Sequence, residues 1–478
     1  MSEDPEHAGA AAPVISPDAV PSGDRTMRYM TRFSCIGPAC EEDCCHGWRI
    51  DVDADHFKSL QRAAAFSPGE VGKTLQSAFQ ILPPKRKKDR PRFIIKQDKD
   101  GRCPMLDGQG WCMVHGNFGF DMLPHVCAVY PRKLRTVGAG LELTATASCP
   151  EMARKILLDA DAVEIVPLDR DSIHRKVLQE GMDPRDTRPF FRALVAVRDA
   201  FMAIMQDGAI SMEERWFLVA WFAKRTQDIL RKGHAKADLA PVERELALIA
   251  RPDVRAAILA RYERLETPAT LGLLVARALV RPHAKAHIRP RWSVLANTVT
   301  GSYVRLRELL PESDDEAEHD RRALEALGSA GQKLATAEVW TEYLRRRDRV
   351  LGEPVAAARA EQYFRNYTIH TFFHRLATEE NDVMSYVLRT LAQQAAMKFL
   401  FYSHPRVHAA LDALRAAPAD EIAAAEAHLV AELDATAADV FYQVARHSEH
   451  GVLLGWLVKM LAQQGWFSLA GAVYLIRF

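Results

Sequence analysis

From about Pro184 to the C-terminus, apolar residues recur at helical spacing. In DVMSYVLRTLAQQAAMKFLFY, Val383, Val387, Leu391, Ala395 and Phe399 repeat at every fourth position, with Met384 and Leu388 beside them. This predicts a helix with one apolar face. SMEERWFLVAWFAKRTQDIL opens with a capping box, Ser211 and Glu214, ahead of an apolar run. The run from Phe441 has the same character, and its end, MLAQQGWFSLAGAVYLI, is expected to be a buried helix. Gln463, Gln464, Gly465 and Ser468 interrupt that run, and no stretch of about 18 apolar residues occurs to span a bilayer. LPESDDEAEHDRR, near residue 315, is expected to be an exposed loop or helix entry. No exact repeat and no long heptad register is present.

Earlier in the chain the period shortens to that of strands. RFIIK, from Arg92, and the run from Gly110 flank the tight-turn sequence DKDG. KLRTV and LELTAT flank GAG, the pattern of a hairpin. The expected fold is α+β and predominantly α. A small, irregular module with short strands (residues 27–160) precedes a large all-helical region (residues 184–478).

Residues 1–26 are acidic, rich in Ala and Pro and free of Phe, Trp and Tyr; they are expected to form a disordered arm. They lack the basic start and apolar run of a signal peptide. Over 478 residues, 63 basic and 62 acidic side chains leave almost no net charge, which argues against nucleic acid as a partner. The basic stretch PPKRKKDRPR, residues 83–92, has no interleaved aromatics and is expected to be a solvated loop. A cytoplasmic protein without membrane association is the expectation.

The cysteines change the picture. All eight lie between Cys35 and Cys149, and the remaining residues contain none. Four of them, Cys35, Cys40, Cys44 and Cys45, fall in RFSCIGPACEEDCCHGWRI, and Cys103, Cys112, Cys127 and Cys149 follow. Disulfides fit an even count, but thiols of a chain without a secretion signal stay reduced. Metal ligation fits better, because clustered thiolates are soft ligands for zinc or iron–sulfur clusters. Neighbouring side chains on extended backbone point apart. Cys44 and Cys45 therefore suit a multi-iron cluster, or a division in which only one of them ligates. His46, His115 and His125 each lie within three residues of a cysteine, and imidazole suits zinc. Other polar candidates beside the thiols are Glu41, Glu42, Asp43, Asp121, Tyr130 and Arg132.

CPMLDGQGWCMVHGNFGFDMLPHVCAVYPR (residues 103–132), RFSCIGPACEEDCCHGWRI and ASCPEMARKILL together resemble the flagellin lysine-N-methylase family. The resemblance is dense from Thr31 to Leu158 and looser at NYTIHTFF and RHSEHGVLLGWLV. It implies a cysteine-rich chelating domain fused to helices and a [4Fe-4S] cluster, with zinc as the alternative. It also implies methyl transfer from S-adenosylmethionine to lysine side chains of flagellin or another protein. All eight cysteines are candidate ligands. Tyr130 and Arg132, in their YPR setting, and His46 are the candidate catalytic residues. The chain has C-x3-C-C where the common radical-type motif is C-x3-C-x2-C, so no radical mechanism is carried over. A non-catalytic zinc- or iron-binding adaptor, or a metal-handling protein, is the alternative.

Lysine has a pKa of about 10.4, so only about 0.04% is the neutral nucleophile at pH 7. A methyltransferase must remove that proton or desolvate the amine. No G-x-G-x-x-G turn is present to cradle the cofactor; VGAGLELTA, from Val137, reads as a hairpin instead. An iron with an open coordination position offers another way to hold the methionine amino and carboxylate groups.

Overall fold

The computed structural model describes residues 23–84, 90–138, 140–178, 181, 189–232, 240–262, 265–280, 290–309, 321, 330–375, 382–449 and 453–478. The fold is α+β and predominantly α. Seven short strands are β1 (Arg25–Met27), β2 (Asp51–Val52), β3 (Phe79–Leu82), β4 (Arg92–Ile95), β5 (Arg132–Val137), β6 (Gly140–Ala145) and β7 (Ile165–Pro167). They form a four-stranded sheet in the order β5-β6-β1-β7 and a three-stranded sheet in the order β2-β4-β3.

The hairpin expected around GAG is present: β5 and β6 pair antiparallel from Arg132↔Ala145 to Val137↔Gly140. The other edge of β6 pairs in parallel with β1, Arg25↔Glu142 and Thr26↔Leu143. Residues 1–22 of the expected arm lie outside the described residues, but Arg25 and Thr26, placed at its end, are strand residues. The edge of β6 takes them up because an unpaired row of backbone groups is costly to bury.

DKDG does form a turn, with the Gly101 N–H donating to Asp98 O at 3.1 Å. The strand before it pairs elsewhere. β4 lies between β2 and β3, with Asp51↔Ile94 and Gln80↔Ile94 in register. The run from Gly110 contributes only a bridge, Leu106↔Cys112, and then turns into the helix Met113–Phe118. Part of the basic stretch, Lys85–Asp89, lies outside the described residues, as do residues 310–320 of the acidic segment.

The capping box holds: Glu214 N–H donates to Ser211 Oγ at 3.3 Å and Ser211 N–H to a Glu214 carboxylate oxygen at 2.8 Å. The helix Val383–Tyr402 is apolar on more than the one face expected. Thr390, Gln393 and Gln394 are buried with the aliphatic stripe, so this helix runs through the interior with neighbours on all sides. The final apolar run is broken rather than a single helix. Leu453–Gln463 ends before Gly465, which has φ +73°, and Ser468 caps a new helix, Leu469–Ile476, accepting from Gly471 N–H at 3.2 Å. No helix among the described residues is long and apolar enough to cross a membrane.

Two hydrophobic cores result. The smaller gathers Ile50, Val52, Leu60, Leu75, Ile95, Cys103, Met105 and Val114 around the three-stranded sheet. The larger runs without a break from Met27, Leu143 and Ile156 into the helices. The larger core thus draws on residues from both the strand region and the helices. Polar groups close the seam. Glu142 on β6 is buried and meets Arg135 at 2.8 Å, Arg198 at 2.8 Å and Arg25 at 2.7 Å. Burial works to raise its carboxyl, but the charges of Arg198 and Arg135 outweigh this and hold it well below the usual carboxylate range. Arg135 also donates to the carbonyl of His374 at 2.6 Å and to that of Phe373, on the helix Pro354–His374. Removing one partner from such a buried set costs about 3–5 kcal/mol.

Candidate metal centre

Each thiol is placed by a local turn. Gly37 has φ +56°, and a Cβ there would meet the Trp111 ring at 2.8 Å, so only glycine lets the Cys35–Cys40 loop close against Trp111. The Cys103 N–H donates to Cys45 O at 2.9 Å, which joins the first cysteine segment to the second. Cys112 and Cys149 are the residues that open the helices Met113–Phe118 and Pro150–Leu157. The backbone N–H groups of the first turn, at Val114 and His115 and at Glu151 and Met152, favour the thiolate forms of these two cysteines. The N–H groups of Met105 and Glu42 act likewise on Cys103 and Cys40.

None of the eight cysteines is in a disulfide. Seven of them form one electrostatic set. Cys44 hydrogen-bonds Cys45, and its charge is felt by Cys40, Cys103, Cys112, Cys127 and Cys149. Cys35 is exposed and faces Arg132, as Cys149 does. Burial pushes the Cys40 thiol up to about 11 and those of Cys103 and Cys149 up to about 12, with the neighbouring thiolates adding to the rise. Cys112 and Cys127 shift the same way for the same reason. The Cys45 hydrogen bond lowers Cys44, and the same bond raises Cys45. Left to themselves, Cys40, Cys103 and Cys149 keep their protons at neutral pH. A cation that displaces the protons relieves both the burial cost and the mutual repulsion.

Among the described residues, no three of the thiols lie within 4.8 Å of one another. In donor chemistry the thiols suit either zinc or an iron–sulfur cluster.

His46 lies beside the thiols, half exposed, with Nδ1 2.7 Å from Asp43 Oδ1. Asp43 also accepts from Cys45 N–H at 2.8 Å, so one carboxylate orients both the imidazole and the cysteine backbone. Tyr130 is partly buried; its hydroxyl is 3.2 Å from Ser148 Oγ and it packs on Trp48 with ring centroids 5.8 Å apart. Burial pushes this phenol well above its ordinary range. Arg132 stacks over Phe33, 4.8 Å from the ring centroid, and faces Cys35 and Cys149. Glu41 pairs with Arg154. His115 and Asp121 are exposed to solvent.

His125 is not with the thiols. It meets Asp53 and His56, the three offering donor atoms within 4.8 Å. This group is already internally bonded. Asp53 caps the helix Ala54–Phe66, accepts from His56 Nδ1 at 2.6 Å and takes His125 N–H at 3.1 Å. The Arg175 guanidinium stands 3.2 Å from the other His56 nitrogen.

Glu42, Tyr442 and Arg446 complete the site. The helix Ile422–Glu449 brings Tyr442 and Arg446 over the first cysteine loop. Arg446 pairs with Glu42 at 2.7 Å, and the Tyr442 hydroxyl donates to the same carboxylate at 2.9 Å. Sequence reasoning named Glu42 but missed the two helical residues. The signal available for Arg446 was its place in RHSEHG, a segment that resembles the family; Tyr442 carried none.

The fold and site define a predominantly helical α+β protein with a clustered-thiol centre at the seam between strands and helices. Over 156 residues, 32% of its length, the chain is 30% identical to the flagellar biosynthetic protein FliU of Salmonella muenchen, 89% of which is covered. It belongs to the family of that protein. It is also 31% identical over 186 residues to a lysine-N-methylase of Salmonella typhimurium and 30% identical to one of Salmonella choleraesuis. Those matches take in 39% of this chain and 43% of each relative, so the chain matches under half the length of either methylase. No family model matches the chain, and no solved structure matches it.

Proposed function

We propose that this chain is a protein lysine N-methyltransferase that uses S-adenosylmethionine, with an iron–sulfur cluster held by cysteines drawn from the seven-thiol set. One observation carries the reading. A family member similar to named lysine-N-methylases brings seven reduced thiols into a single electrostatic set centred on Cys44. When bound, a cluster with one iron free of thiolate would supply a Lewis-acidic position to which a ligand carrying an amino and a carboxylate group can coordinate.

This chain's own residues do the rest. With Nδ1–H donated to Asp43, the His46 ring directs the lone pair of Nε2 away from Asp43. That nitrogen accepts the proton the substrate ammonium must lose. The freed amine attacks the sulfonium methyl: an N–C bond forms, the S–C bond breaks, and the neutral thioether leaves. Tyr130 keeps its proton at neutral pH, so it acts as a hydrogen-bond donor and not as a base. The acceptor is a lysine of flagellin or of another protein.

Incubation of anaerobically purified protein with S-adenosylmethionine and flagellin, followed by intact-mass measurement, tests the reading. Mass gains of whole methyl groups on flagellin are expected, and His46→Ala should reduce them at least about tenfold. No transfer to flagellin or to any lysine-bearing protein would remove the proposal.

A further inference from the structure

Arg446 reaches the thiol site from a helix that belongs to the other end of the chain. Its guanidinium makes three separate contacts there. One nitrogen pairs with the Glu42 carboxylate at 2.7 Å, a second donates to the Glu42 carbonyl at 3.2 Å, and Nε donates to the Ser148 carbonyl at 3.2 Å. Glu42 lies between Cys40 and Cys44, and Ser148 immediately precedes Cys149. The one side chain therefore ties together two segments that each carry cysteines of the set. Tyr442, one helical turn away, holds the remaining oxygen of Glu42. Arg446 is 7% exposed, so its charge is poorly screened, and it reaches both Cys40 and Cys44.

We propose that Arg446 is a positioning residue for the sulfur-bound group: it fixes the Cys40–Cys45 loop against Ser148–Cys149 and sets the charge beside the thiols. The inference rests on the cluster reading above for its electronic half; the positional half stands on the contacts alone. Three donors in a planar fork make the contacts, and a lysine ammonium supplies one point charge without that geometry.

The test uses full-length protein purified anaerobically, as Arg446→Met, Arg446→Lys, Glu42→Gln and the Arg446→Met/Glu42→Gln pair. Reduction adds negative charge to a cluster. Loss of the Arg446 cation should therefore lower the midpoint potential, and loss of the Glu42 anion should raise it. The double variant should fall between the two, and Arg446→Lys should stay nearer the parent. A merely structural role does not produce shifts of opposite sign. Potentials of Arg446→Met and Glu42→Gln that coincide with the parent, or move together, would overturn the proposal. If the protein proves to carry no iron, the cluster reading fails separately. Amide hydrogen exchange across residues 40–46 then decides the positional half: faster exchange in Arg446→Met with partial recovery in Arg446→Lys supports it, and unchanged exchange refutes it.

Discussion

His370 and His374 lie one turn apart on the helix Pro354–His374, with ring centroids 5.3 Å apart. Both are buried against the four-stranded sheet, and His370 Nδ1 is 3.0 Å from the Tyr29 hydroxyl. Burial drives the His370 imidazole down to about 3, helped by Arg375 and Arg135, and His374 well below its ordinary value. In the unfolded chain each returns to about 6.5. Between those limits the unfolded state binds more protons, so stability is full above about pH 6.5 and is lost as pH falls towards 3. Thermal unfolding followed from pH 7.5 to 5 should show a falling midpoint. His370→Gln, at matched metal content, should flatten that slope; an unchanged slope would contradict the assignment. NYTIHTFF stood out in the sequence for its resemblance to a family segment, yet nothing in it said that His370, or His374 just after it, faces a sheet formed more than 200 residues earlier.

At the scale of elements, the central helix Val383–Tyr402 depends on its first turn. Asp382 accepts from Ser385 N–H at 2.6 Å and is 3.5 Å from Arg231. Asp382→Ala should cost about 1 kcal/mol, read as a lower unfolding midpoint in denaturant, whereas Asp382→Asn should recover most of it. No loss in the alanine variant would show that tertiary packing alone holds this helix. The helices, the capping box at Ser211 and the β5–β6 hairpin were legible in the sequence, because their signals are local: apolar period, cap residues and a Gly-rich turn. The pairing of β4 with β2 and β3 was not legible, since strand partners separated by loops leave no mark on period. Nor was the burial of the far side of Val383–Tyr402. Gln393 and Gln394 lie outside the apolar stripe named from the sequence, yet Gln393 donates to the Tyr367 hydroxyl at 2.8 Å and Gln394 to Thr368, inside the core. A polar residue with a buried partner looks the same in a sequence as one facing water.

At the scale of the whole molecule, the thiol set lies where two cores meet. The smaller core carries Cys103 and supports Cys45, Cys112 and Cys127, while the larger carries Cys149. Clustering of the eight cysteines was plain from the sequence; the part played by Arg446 was not, because contacts between the ends of a chain have no local signature. On the proposed reading, metal bound by these thiols would tie both cores together, and its removal should loosen the seam as well as the loops. The account is tested most directly by iron, sulfide and zinc analysis of the anaerobically purified full-length protein, read together with its visible absorption spectrum. It predicts a brown protein with broad absorption and about four irons and four sulfides per chain. A colourless protein holding stoichiometric zinc, or no metal at all, would contradict it.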